Sequence, residues 1–184
     1  MILLIGYGNN LRRDDGAGLI LAERLEHAWR SQGVAVKHLP CHQLTPELTA
    51  EIAEPDVTAV VFVDARAIEA SEVDPQVQVQ PLRPELLSPS SGHHLKPATL
   101  LLYADRLYGR RPSAWLVTVP AADFDYGEDL SQITQQALAS AQTLPAELFH
   151  KLFFGHFRWN FAHDGPAFSA DSASRLPLPH HGDR

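Results

Sequence analysis

Two short runs without a polar interruption constrain this chain more than anything else in it. Ile2-Leu3-Leu4-Ile5, closed by Gly6, and the segment Thr58–Val63, closed by Asp64, show no alternation of apolar and polar residues. A strand built from either must be covered on both faces, which is the habit of parallel sheets flanked by helices. The segments between them agree. Ala17–Arg30 carries Ile20, Leu21, Leu25, Ala28 and Trp29 as a helical stripe, with Gly33 as a stop. Val34–Leu39 reads as a second strand, and Thr45-Pro46-Glu47 as the start of a helix that fades before Pro55. Gln76–Gln80 alternates valine with glutamine and is expected at a sheet edge with one wet face. Pro97–Tyr108 is a helix with Gly109 just past its end, Ser113–Val119 a further strand, and Ser131–Gln142 a last amphipathic helix. Strands alternating with helices of this length predict an α/β fold. The expected architecture is a single domain with a mostly parallel, twisted sheet of about five strands and helices on both faces, a three-layer sandwich.

The alternation ends near Pro145. Residues 1–145 are read as the α/β domain. Residues 146–169 are an aromatic-rich extension (Phe149, Phe153, Phe154, Phe157, Trp159), expected to lay a helix on the domain, and the Ser-, Pro- and His-rich residues 170–184 a disordered tail. His180 and His181 in that tail read as a solvated terminus rather than a metal site. A formal net charge of −7 argues against a nucleic-acid or anionic-membrane binder, which needs clustered Lys and Arg. The single cysteine, Cys41, excludes an internal disulfide and multi-cysteine zinc patterns. No apolar stretch approaches the roughly 20 residues of a membrane span, and Met1 runs into Ile2 without a basic flank. A cytoplasmic protein is expected.

The loop Gly6-Tyr7-Gly8-Asn9-Asn10-Leu11-Arg12-Arg13-Asp14-Asp15-Gly16-Ala17-Gly18 joins the first strand to the first helix. It is not a dinucleotide fingerprint. Leu11 stands where the third glycine belongs, and two carboxylates occupy the helix start where a pyrophosphate would have to lie. A helix cap accounts for one of Asp14 and Asp15 but not both. Gly16 and Gly18 in the first turn, each less favourable than alanine by up to about 1 kcal/mol, imply that something approaches that turn closely. Asp64, after five apolar residues, falls where open parallel sheets bind ligands, and a strand order beginning 2-1-3 puts it beside Asp15. Its bland alternative is a turn cap or an ion pair with Arg66. Ser91-Gly92-His93-His94-Leu95-Lys96-Pro97 adds two histidines before another helix. Two carboxylates and one imidazole form a donor set for a borderline divalent metal such as nickel or zinc, with coordination positions left open.

With these residues in place the chain resembles the [NiFe]-hydrogenase maturation proteases, the hydrogenase maturation endopeptidases. The likeness is carried by Gly6-Tyr7-Gly8-Asn9, Leu11, Asp14-Asp15 and Gly16, by Asp64 and His93, by Gln43-Leu44-Thr45-Pro46-Glu47-Leu48, and by Val119-Pro120 with Asp123-Phe124-Asp125-Tyr126-Gly127. It runs from Met1 to about Gln142. It implies a cytoplasmic, monomeric endopeptidase, classed with the aspartyl-type peptidases. Such an enzyme removes the C-terminal extension of a hydrogenase large-subunit precursor after nickel insertion. The family's metal-recognising trio carries over onto Asp15, Asp64 and His93, with nickel supplied by the precursor. Asp15 stands where many relatives have glutamate, and His94 competes with His93 as the third ligand.

No nucleophile is legible. Cys41-His42 superficially suggests a thiol protease, but residues adjacent in sequence rarely give that geometry. The alternatives are nickel-assisted hydrolysis, with Asp15 or Asp64 as ligand or base, and nickel that only positions the substrate. The rival from another class is a non-enzymatic nickel-binding chaperone of the same precursor.

Overall fold

The computed structural model describes residues 1–69, 72, 74–85 and 95–154. Strand β1 (Ile2–Tyr7) occupies the sheet interior, paired in parallel with β2 (Val36–Cys41) on one side and β3 (Ala59–Ala67) on the other. β5 (Ser113–Ala121) lies parallel to β3, and β4 (Gln78–Pro81) closes the far edge antiparallel to β5. The order is β2-β1-β3-β5-β4. The two apolar runs are therefore neighbours at the centre, and Ile2–Ile5 and Val60–Val63 are fully buried.

Side chains alternate across the sheet and sort the core into two layers. Ile2 and Leu4 with Val61, Val63, Val117 and Val119 pack under α1 (Ala17–Ser31), α4 (Gln132–Ser140) and α5 (Leu144–Phe153). Leu3 and Ile5 with Val60, Phe62 and Ala114 face α2 (Leu48–Ile52) and α3 (Pro97–Tyr108). This is the three-layer α/β sandwich expected from the alternation. Three helix signals act where they were read, but the Thr45-Pro46-Glu47 start does not, because those residues form a turn and α2 begins at Leu48 without a side-chain cap. α1 buries Leu21, Leu25 and Trp29 and stops at Gly33, with φ of 77°. α3 has Pro97 in its first turn and the left-handed Gly109 after its last. The Ser131 hydroxyl accepts a bond from the Thr134 amide at the start of α4.

Several boundaries differ from expectation: β2 is Val36–Cys41, β4 is Gln78–Pro81 and β5 extends to Ala121. β3 does not end before Asp64 but runs on to Ala67, because β5 continues beside it and pairs Asp64 with Thr118 through to Ala67 with Ala121. Pairing of β1 with β3 stops at Gly6 and Val63, so Asp64 lies one step past that pairing while still held in the sheet by β5. The packed layer also continues past Pro145. α5 buries Leu144 and Leu148 against the core, and the Trp29 indole donates 2.9 Å to the Pro145 carbonyl. Phe149 and Phe153 stack within this helix, with ring centroids 4.6 Å apart. Phe157, Trp159 and the sequence from residue 155 onward, including the tail with His180 and His181, lie outside the described residues. No helix among those described is long and apolar enough to cross a membrane.

Candidate active site

The glycines of the first loop permit close contacts of the chain with itself. A Cβ on Gly18 would lie 2.8 Å from the Val63 carbonyl and 2.9 Å from both the Asp64 Cα and the Tyr7 carbonyl. Helix α1 therefore begins directly against the ends of β1 and β3, and the close approach inferred from Gly16 and Gly18 is made by backbone and by Asn10. Gly8 has φ of 142°, and a Cβ there would overlap the Asp15 carbonyl at 2.0 Å. The loop is thus folded down so that Asp15 comes to its inner side.

Neither aspartate caps a helix through its side chain; residues Arg13–Gly16 form a 3-10 turn, and α1 has no side-chain cap. Asp14 is fully buried and reaches a distant part of the sequence. Its Oδ2 accepts from the amides of Ala122 (2.8 Å) and Asp123 (2.9 Å), and its Oδ1 from the amide of Ser131 (2.7 Å). Burial opposes the charge, but the hydrogen bonds from Ser131, Ala122 and Asp123 outweigh it and hold the carboxyl below its usual range. The Asp14 amide donates to the Asp123 carbonyl, Arg13 forms an ion pair with Asp123, and the Gly127 amide donates to the Leu11 carbonyl. Together these contacts staple the β1–α1 loop to the β5–α4 connection.

Asp15 and Asp64 have a different setting. Both line a cleft of about 710 Å³ at the carboxyl edge of the sheet, bordered also by Tyr7, Asn9, Arg12, His42, Leu95 and Lys96. The edge falls between β1 and β3, where the direction of strand connection reverses and ligands bind in such sheets. Asp15 accepts a bond from the Asn9 amide at 3.0 Å. Asp64 accepts from the Ala65 amide at 2.8 Å, and the Tyr7 hydroxyl interacts with its carboxyl. Burial pushes the Asp64 carboxyl up to about 6; the bonds from Tyr7 and Ala65 oppose the rise, and the Asp15 charge adds to it. The Tyr7 phenol is raised beyond its normal range by burial and by Asp64. The alternative Asp64–Arg66 ion pair does not form, because Arg66 makes a two-pronged contact with Glu72 at 2.8 and 2.9 Å.

His93 and His94 lie outside the described residues; Leu95, Lys96 and Pro97, which follow them, border the cleft. Among the described residues no three His, Cys, Asp or Glu side chains converge on one metal position. His42 lines the cleft, whereas Cys41 does not. The Cys41 thiol points to the Gly6 carbonyl, 3.8 Å away, and burial pushes its pKa up, the opposite of what an attacking thiolate requires. Sequence reasoning passed over Tyr7, although a hydroxyl ending a wholly apolar strand was a visible signal.

No protein-family model matches the chain, and no curated protein matches it in sequence. Solved structures do. The [NiFe] hydrogenase maturation protease HycI of Thermococcus kodakarensis superposes with a TM-score of 0.57 at 24% identity, over 80% of this chain and 92% of that one. The hydrogenase maturating endopeptidase HybD of Escherichia coli gives 0.58 at 21% identity, over 82% and 92%. HybD of T. kodakarensis gives 0.52 at 19%, over 80% and 97%. The chain therefore has the fold of the [NiFe] hydrogenase maturation proteases over nearly their whole length.

Proposed function

We propose that this protein is an endopeptidase that removes the C-terminal extension of a [NiFe]-hydrogenase large-subunit precursor after nickel insertion. The observation that carries the reading is the pair Asp15 and Asp64 on one open cleft at the switch point of this fold. In this reading the nickel belongs to the substrate, held by the precursor, and Asp15, Asp64 and His93 meet it as it enters the cleft. Two carboxylates and an imidazole suit nickel and leave positions for the precursor's own ligands. Asp64 is ionised above a pH of about 6 and is then able to meet a cation. Nickel held beside the scissile bond by Asp15, Asp64 and His93 would polarise its carbonyl, activate water or position the bond for hydrolysis. The protein acts as a monomer in the cytoplasm on a protein partner.

The test is incubation of the purified full-length protein with nickel-loaded precursor and, separately, with metal-free precursor. The expected result is a shortened large subunit only from the nickel-loaded form. Stable binding of the loaded precursor without cleavage would identify a nickel-recognising chaperone, and cleavage of both forms would remove the metal from recognition.

A further inference from the structure

We propose that Tyr7 is a positioning residue whose hydroxyl orients the Asp64 carboxylate in the cleft without neutralising it. This rests on the reading that Asp64 meets the metal-loaded precursor.

The geometry begins with the last rung of the sheet. Register places Tyr7 beside Cys41 of β2 and Asp64 beside Thr118 of β5, with Gly6 and Val63 paired one step earlier. On this face β1 presents Leu3, Ile5 and then Tyr7, and β3 presents Val60, Phe62 and then Asp64. Both strands thus change from apolar to polar at the same level, where the cleft begins. The phenol ring continues the apolar layer, and its oxygen reaches the cleft at the level of the neighbouring carboxylate, with which it interacts. A largely enclosed tyrosine hydroxyl needs a partner. Here the partner is a cleft carboxylate rather than a carbonyl of the packed core.

Among the described residues, the Ala65 amide donates to Asp64 and the Tyr7 hydroxyl interacts with its carboxylate, and both groups are uncharged. Arg66, the nearby cation on the same strand, is occupied by Glu72. A guanidinium in Tyr7's place would orient Asp64 equally well but would also cancel its charge. A phenol fixes the side chain and leaves the negative charge for an incoming cation. Ligating carboxylates are commonly held this way, and removing the supporting bond typically lowers affinity or activity by about 10–100-fold.

The experiment compares wild type, Tyr7→Phe, Asp64→Asn and the double variant as full-length proteins. Affinity for nickel-loaded precursor and kcat/KM for its processing are read, with melting temperature as a folding control. Tyr7→Phe keeps the ring, so it should melt like wild type yet lose about tenfold or more in affinity. The double variant should be no worse than Asp64→Asn alone, because Tyr7 acts through Asp64. Tyr7→Phe within twofold of wild type, or a double variant that loses the product of both single losses, overturns the proposal. Crystal structures of wild type and Tyr7→Phe supply a readout independent of the precursor. The Asp64 carboxylate should leave its wild-type orientation in the variant, and an unchanged orientation overturns the proposal. If wild type fails to engage nickel-loaded precursor, the functional reading falls, and the two crystal structures still decide what Tyr7 does.

Discussion

The staple between the two loops and the rung at the cleft treat the same functional group in opposite ways. In the staple, Asp14 is saturated by three backbone amides and its carboxyl is held below the usual range. At the cleft, Asp64 is half-buried beside another carboxylate and its carboxyl is pushed up to about 6. The first arrangement makes an ionised carboxylate a source of stability; the second makes it a burden on stability that a cation from outside would relieve. The two regions are joined by one peptide bond, between Asp14 and Asp15. The stapled turn anchors the loop from below so that Asp15 can face the cleft, accepting, among the described residues, one bond from the Asn9 amide.

The largest effect is expected where the comparison is most one-sided. Asp14→Ala removes the acceptor for three amides at once. Each buried unsatisfied donor costs about 1–3 kcal/mol, and partial rehydration at the loop surface limits the total to roughly 3–5 kcal/mol. For a domain of this size that lowers Tm by on the order of 10 °C. Calorimetry of the variant checks it, and a melt within 2–3 °C of wild type, roughly the shift 1 kcal/mol produces, would show that the staple is decorative. The pH dependence has a definite sign. Because the folded carboxyl titrates below its unfolded value, Asp14 contributes its stability at neutral pH and loses it as pH falls through the folded value, below the usual value of 3.8.

Asp64→Asn should do the reverse. Its folded carboxyl titrates near 6 against an ordinary 3.8, so wild type loses stability as pH rises from about 4 to about 6. A shift of about two units corresponds to roughly 3 kcal/mol, which partial solvent access reduces to about 1–2 kcal/mol. Asparagine can still accept from Tyr7 and Ala65. The variant is therefore expected to be more stable than wild type above pH 6, by about 1–2 kcal/mol, and unable to process precursor. Urea titrations at pH 4 and pH 7 measure the difference; equal gains at both values would place its origin outside the charge. Processing by wild type should fall in parallel as pH drops below about 6.

Most of the frame behind this comparison was legible in the sequence, and the reason is local. The continuous apolar runs, the Gly33 and Gly109 stops, the Pro97 start and the valine–glutamine alternation at residues 76–80 each act through residues within one element. Asp15 and Asp64 were legible because strand order alone decides that the ends of β1 and β3 adjoin. Asp14 was not, since the amides it binds come from residues 108, 109 and 117 positions away. Nothing near Asp14 announces them, and a helix cap was the cheaper explanation. The end of β3 was misjudged for a related reason: Asp64 looks like a terminator until β5 is known to run alongside it. His93 stays a reading of sequence and resemblance.

Asp15→Ala separates the neighbours more sharply than any other change. It removes one bond, from the Asn9 amide, so stability should fall by only about 1 kcal/mol. Processing of nickel-loaded precursor should nevertheless be lost, because the proposed donor set of Asp15, Asp64 and His93 is reduced to two. Circular dichroism, melting and a cleavage assay on Asp14→Ala and Asp15→Ala together make the contrast: adjacent residues, one failing in stability and the other in function. Full processing by Asp15→Ala would break the comparison from the functional side.

The smallest effect is expected at Cys41, which shares the rung but not the cleft. Tyr7 lies between Cys41 and Asp64 in the sheet, so a thiol mechanism would require the chemistry to cross β1 to reach the carboxylates. The thiol is instead held against the Gly6 carbonyl, and burial raises its pKa. At neutral pH it is protonated and weakly nucleophilic. Cys41→Ala removes one half-buried sulfur, with an expected loss of about 1 kcal/mol in stability. Processing should stay within twofold of wild type. A folded Cys41→Ala protein that cannot cleave, beside an Asp15→Ala protein that can, would move the reacting group to β2 and turn His42 into its candidate base.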